Sequence, residues 1–370
     1  MKTLQTGSDF KIYDDSLTIF DQLPVATYNV TYSQLEGFSL HRRADIEVSE
    51  KAYGIHIAKL DKVLNSFRCF SRSLGVILSG DKGIGKSLFA KMVCVRAIRE
   101  GYPVIIVGSC VPGLAAFLES IDQECVVLFD EFDKIFRSGK ENDDQTSLLS
   151  LFDGTSGGKK LFIVTCNDLF GLNQFIINRP GRFHYHFRFD YPTPADIREY
   201  LRDKLDECYY GEIEKVVDFS RIVSLNYDCL RAIAFELNFG CSFASAISDL
   251  NIMTTDDEEY TVFLFFDNGV RLQQLRYSAN LYSAAESEPC VYLYDANGHY
   301  ITTANYDRTR IVYDQVRRST IVPPEGIRLE WDDDDDVDKH DKPFIQDLKA
   351  AKPLYMSFVK KSMQSYHYAF

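Results

Sequence analysis

The residues Gly80-Asp81-Lys82-Gly83-Ile84-Gly85-Lys86-Ser87 have the form G-x-x-x-x-G-K-[ST], a spacing suited to gripping a nucleoside triphosphate such as ATP. Triphosphate is a dense anion and needs donors packed around it. Glycines let the backbone bend until several N–H groups face one cavity, and the helix that follows adds the positive end of its dipole. Lys86 can reach the outer phosphates as a point charge, and the Ser87 hydroxyl can sit on Mg2+. Leu88, the next residue, is counted with this phosphate site.

A second set is acidic. The apolar run Cys125-Val126-Val127-Leu128-Phe129 ends in Asp130-Glu131-Phe132-Asp133. Asp130 is placed to hold Mg2+, directly or through water, and Glu131 to orient and deprotonate an attacking water. A strand that merely leaves into a solvated acidic turn is the bland alternative. It loses weight because a phosphate loop lies upstream in the expected order. Asn167 ends another apolar run, where it can fix the attacking water, sense the outer phosphate, or close an Asx turn. Arg179 and Arg182 flank a Pro-Gly turn, from which a guanidinium can stabilise transferring phosphate charge or make a surface ion pair.

These residues need a scaffold that brings loop ends together. Gly75 to Leu78 reads as a buried strand before the phosphate loop. After it, Leu88/Phe89, Met92/Val93 and Val95 to Ile98 recur at helical spacing up to a stop at Gly101. Apolar runs at 103–107, 125–129, 161–164 and 185–189 supply four more strands. Strands alternating with helices predict an α/β fold, a parallel sheet whose carboxyl edge binds ligands.

Bulk properties narrow the class. The chain has 370 residues, room for two or three domains, with 45% hydrophobic and 26% charged residues. Its net charge of −13 weighs against a tight, general nucleic-acid binder without removing a local basic patch. No apolar run reaches membrane-spanning length and no signal-peptide core opens the chain, so no membrane partner is expected. Nine cysteines occur without a C-x-x-C pair, and Cys94, Cys125 and Cys166 lie in apolar runs. This suggests a reducing, cytoplasmic setting. His184 and His186 alternate around Tyr185 as strand residues do, and no further metal-ligand spacing accompanies them.

Taken together, GDKGIGKS, CVVLFDEFD, the strand ending TCN and NRPGRF resemble the AAA+ ATPases in content and order. The Arg-Pro-Gly-Arg-Phe form is similar to the AAA branch in the narrow sense. The resemblance covers roughly residues 50 to 255. It implies a sheet of strand order 5-1-4-3-2 (residues 51–190), a helical lid (191–255) and a ring, usually of six subunits, with ATP at each boundary. It also implies that Lys86, Ser87, Asp130, Glu131 and Asn167 act on their own subunit's ATP, that Arg179 and Arg182 reach the neighbour's, and that Tyr53, Gly54 and Ile55 contact adenine. The segment Ser109 to Leu114, where threading members carry an aromatic pore loop, is short and has no aromatic residue before Phe117.

Outside that core, residues 1–50 read as a small N-terminal β-rich piece and 256–331 as a small C-terminal β domain with an Asn268-Gly269 hairpin turn. Asp332 to Asp336 reads as a solvated linker rather than a calcium loop, and 332–370 as a tail. The lysines and aromatics of that tail suit either a docking segment for a neighbour or a helix packed on its own domain. The leading functional expectation is a Mg2+-dependent ATP hydrolase, a ring-forming homo-oligomer that remodels or translocates a protein client through its β regions. A nucleic-acid motor or loader and a slow, ATP-gated assembly scaffold are the alternatives.

Overall fold

The computed structural model describes residues 1–54, 57–136, 145–153, 158–169, 172–173, 175–177, 179–221, 223–252, 257–281, 288–314, 317, 319–331 and 342–360. Ile55, the acidic run 332–336 and the tail beyond 360 lie outside the described residues. The chain divides into two compact units: Met1–Tyr200 with Asn226–Asp228, and Leu201–Leu225 with Cys229–Phe370.

The first unit opens with β1 (Lys2–Thr6) and β2 (Asp9–Tyr13), an antiparallel pair, and the hairpin β3 (Thr27–Ser33) and β4 (Gly37–Arg43). Then come α1 (Ile57–Cys69), β5 (Leu74–Ser79), α2 (Lys86–Arg99), β6 (Val104–Val107), α3 (Leu114–Glu119) and β7 (Cys125–Phe129). After these follow α4 (Phe132–Ile135), α5 (Leu149–Phe152), β8 (Lys160–Cys166), β9 (Tyr185–Arg188) and the start of α6 (Pro194–Lys204). Thr193 and Asp196 bond each other's backbone N–H across the first turn of α6, a reciprocal cap.

One sheet of seven strands runs β4-β3-β6-β7-β8-β5-β9. Read from the β9 end, its last five strands have the expected order 5-1-4-3-2. The hairpin departs from the sequence expectation of a separate N-terminal piece. β3 pairs in parallel with β6, Thr27 opposite Val104, so the hairpin extends the sheet. Its Phe38 ring stacks on Phe117 of α3 at 5.0 Å, so that aromatic side chain is spent on packing. Strand residues alternate between two cores, as their twofold period requires. Val126 and Leu128 join α1 and α2 on one face, while Val127 and Phe129 join α3, α4 and α5 on the other. With both faces covered, β5, β7 and β8 are buried along their whole length.

The second unit contains α7 (Ile213–Ser220), most of α8 (Tyr227–Asn238), α9 (Phe243–Asp249) and the strands β10 (Glu258–Phe266), β11 (Arg271–Ala279), β12 (Cys290–Tyr294) and β13 (Tyr300–Tyr306). It continues with β14 (Val312–Asp314), β15 (Ser319–Val322), β16 (Ile327–Glu330), α10 (Lys342–Ala350) and β17 (Pro353–Lys360). Eight strands form one antiparallel sheet, β14-β15-β17-β10-β11-β12-β13-β16. Its buried face packs Val262, Leu264, Leu293 and Met356 with Ile345 and Leu348 of α10. Residues 353–360, assigned to the tail by composition, thus form an interior strand, held between β10 and β15.

Candidate nucleotide site

β7, β8 and β5 are neighbours, so their carboxyl ends bring the phosphate loop, the acids and Asn167 to one edge. The loop's first glycine cannot be replaced without strain. Gly80 has φ 136°, and a Cβ built there would lie 2.2 Å from the carbonyl oxygen of Phe189. We predict that Gly80→Ala shifts the loop, weakens ATP binding and lowers the unfolding midpoint by about 5 °C, measurable by thermal denaturation. Gly85 differs: its φ is 98°, but a Cβ there would meet nothing within 4 Å. The loop therefore opens on free space just before Lys86.

Lys86 is 7% exposed, and burial holds its ammonium below the usual lysine range. Its protons go to the carbonyl oxygens of Gly80 (2.7 Å) and Asp81 (2.5 Å) and to Oδ1 of Asn167 (3.0 Å). Ser87 Oγ donates to Asp130 Oδ1 at 2.9 Å, and Thr165 Oγ1 donates to the same oxygen at 2.6 Å. That threonine hydroxyl also accepts the backbone N–H of Glu131 at 2.8 Å. One side chain at the end of β8 thus fixes both acids. Sequence reading missed it, although a signal existed: Phe129 pairs with Val164, so Asp130 and Thr165 follow side by side.

Glu131 has φ 54°, the sole positive φ of a non-glycine among the described residues. Its half-exposed carboxylate pairs with Lys134. Asp133 Oδ2 accepts the N–H groups of Asn167 (3.2 Å) and Asp168 (3.4 Å), which sets the end of β8 against α4. The Asx turn weighed for Asn167 gives way to this arrangement. Its amide oxygen faces Lys86, and its main chain is held by an acid.

Tyr53 stacks beside Tyr227 at 6.1 Å and meets the edge of Tyr200 at 5.0 Å. Burial, aided by Asp196, pushes the Tyr227 phenol up, so it stays neutral. The Tyr227 N–H donates to the Gly83 carbonyl at 2.9 Å, and Asn226 Nδ2 to that of Lys82 at 3.2 Å. The aromatic group containing Tyr53 therefore adjoins the phosphate loop. Gly54 (φ 85°) turns the chain there, 3.7 Å from Asp196 by its would-be Cβ.

The two arginines part company. Arg182 is buried: Nε and Nη2 grip Asp153 at 2.5 and 2.8 Å, and Nη1 donates to the Phe175 carbonyl at 2.7 Å. Mutual hydrogen bonding raises the arginine and holds the Asp153 carboxyl below its usual range. So engaged, Arg182 is held within its own chain. Arg179 is exposed, its guanidinium 5.4 Å over the Phe175 ring. We predict that Arg182→Ala costs about 2 kcal/mol of stability in denaturant titration, whereas Arg179→Ala stays within about 0.5 kcal/mol.

The donor set suits a hard cation: a hydroxyl and a carboxylate in contact at Ser87 and Asp130, oxygen ligands only, of the kind Mg2+ takes together with substrate phosphates. Lys86 and the loop N–H groups complete a receptor for polyphosphate rather than for a lone metal ion.

Residues 76–191 match the sequence model of the ATPase family associated with various cellular activities (AAA). The family is one of ATPases whose members commonly work as oligomers. The chain is similar to Protein mac-1 of Caenorhabditis elegans, 25% identical over an alignment of 169 residues that covers 42% of this chain and 21% of that protein. It is also similar to ATPase family AAA domain-containing protein At1g05910 of Arabidopsis thaliana, 28% identical over an alignment of 138 residues that covers 32% of this chain and 11% of that protein. The chain thus spans a small part of either relative. No helix among the described residues is long and apolar enough to cross a membrane.

Proposed function

We propose that the protein is a Mg2+-dependent ATP hydrolase whose copies assemble into a ring, usually of six in this family, and drive mechanical work on a macromolecular client. The carrying observation is the linked set Lys86, Ser87, Asp130, Thr165 and Glu131 at one sheet edge. Lys86 and the loop amides bind the phosphates. Ser87 and Asp130 would hold Mg2+, which supplies neutralising charge to the phosphate oxygens. Glu131 takes the proton of the attacking water, and Asn167 orients that water or reports on the outer phosphate through Lys86. Tyr53 and Gly54, with the Tyr227 ring behind them, receive the base.

Arg179 is the group that serves a neighbouring copy's site, while Arg182 braces the turn that presents it. Arg179→Ala subunits should keep their ATP affinity, lose most hydrolysis, and regain part of it when mixed with Lys86→Ala subunits. A mixture no more active than its parts argues against sharing between copies. Phosphate release measured with and without Mg2+, alongside the oligomeric mass with ATP, tests the reading as a whole. A monomer that releases no phosphate refutes it.

The acidic balance of the chain favours a protein client over nucleic acid. A nucleic-acid client is the second reading, favoured by one surface of the C-terminal sheet.

A further inference from the structure

The eight-stranded sheet buries one face; the other displays rings. Along β10, Val262, Leu264 and Phe266 point into the core, which turns Phe263 and Phe265 to the opposite side. Register carries that side across the sheet, because directly paired residues share a face. Phe265 lies opposite Tyr355 of β17, and Phe263 opposite Gln273 of β11. Gln273 in turn lies opposite Tyr294 of β12, and Tyr294 opposite Tyr300 of β13. Two aromatic groups result. Phe265 stacks on Tyr355 at 4.7 Å, while Tyr300 touches Tyr294 and Tyr292 at 6.0 and 6.4 Å. Tyr292 is 51% exposed and Tyr300 37%.

Between the two groups runs β11, which sets Arg271, Gln273 and Arg276 beside an exposed Leu275. Interfaces with proteins place rings at the centre and polar groups on the rim. Here the rings lie on both flanks, and the guanidinium of Arg271 and the amide of Gln273 stand between them together with Leu275. Arg271 lays its guanidinium 4.8 Å over Phe263, and Arg317 lays its own 4.4 Å over Tyr355. Arg271 and Arg276, both exposed on β11, make no ion pair among the described residues. Guanidinium groups without an ion pair among the described residues, on a chain of net charge −13, are a local match for a polyanion. Rings and guanidinium planes that present their faces suit unstacked bases, whose faces a duplex conceals.

We propose that this face of the C-terminal sheet binds single-stranded nucleic acid, with bases stacking on Tyr292, Tyr300 and the Arg271–Phe263 pair and phosphates meeting Arg271 and Arg276. The proposal goes beyond the ATP-hydrolysing reading. It is tested without nucleotide, so failure of one is distinguishable from failure of the other.

The experiment is fluorescence anisotropy of labelled oligo-dT and oligo-rU of about 20 nucleotides, longer than the sites such domains occupy, titrated with the full chain. Saturable binding of at least one strand is expected, weakening as salt rises, with a duplex of equal length bound more weakly. Tyr292→Ala with Tyr300→Ala should raise Kd about tenfold or more. Arg271→Ala with Arg276→Ala should lower the slope of log affinity against log salt by about two. Tyr292→Phe with Tyr300→Phe keeps the rings and should bind normally, which guards against a folding artefact, and all these variants should keep basal phosphate release. Absence of saturable binding at low salt, or binding indifferent to the ring and arginine substitutions, overturns the proposal. So does capture of a proline-rich peptide probe by the same residues without oligonucleotide binding, which assigns the face to a protein instead.

Discussion

Lys86→Ala is expected to lose ATP affinity by roughly 30-fold to several thousandfold, the cost of truncating one partner of a buried, hydrogen-bonded charge pair. An ammonium has three protons, and the structure directs them to two loop carbonyls and Asn167 Oδ1, all neutral acceptors. Burial penalises that charge in these surroundings, so a phosphate oxygen brought alongside gains a partner whose charge has been largely stripped of water. Alanine removes the charge and leaves three oxygen acceptors with no donor from this position. Titration with a fluorescent ATP analogue measures the effect. An affinity within about twofold of the parent chain would mean that the loop does not hold triphosphate.

Glu131→Gln is expected to leave ATP affinity and thermal stability near those of the parent while turnover drops by about 10²- to 10⁴-fold, the range for loss of a positioned general base. The backbone conformation should survive the change. Glutamine meets the same left-handed cost as glutamate, on the order of 1–2 kcal/mol, and the Thr165 hydroxyl still accepts the residue-131 N–H. The glutamine side-chain oxygen can still face Lys134. What it cannot do is take a proton from water. Single-turnover phosphate release, compared with equilibrium binding of the same variant, separates the two steps. Hydrolysis near the parent rate would remove Glu131 from the role of base.

The parts of this site that lie next to one another in the chain were legible in the sequence. The phosphate loop, the acids after β7 and Asn167 after β8 each follow an apolar run, and the structure unites them because those runs are neighbouring parallel strands. Contacts between distant residues were not legible. Arg182 reads as a solvent-facing guanidinium until Asp153 arrives from 29 residues away. β17 reads as a tail because its partners β10 and β15 precede it across a charged stretch, and short alternating runs do not name their neighbours. The same limit hid the fusion of β3 to β6, a pairing between residues 77 positions apart. Thr165 lay between these cases, since strand order and register together locate it.

The hairpin at the start of the chain has a consequence for how copies can join. β4 forms one rim of the seven-stranded sheet, and its last residues, His41, Arg42 and Arg43, are exposed. A cationic rim repels a second strand that would otherwise zip onto its open amides. The opposite rim, β9, offers only four residues. Ribbon-like growth by strand addition to this sheet is therefore poorly supported at either margin.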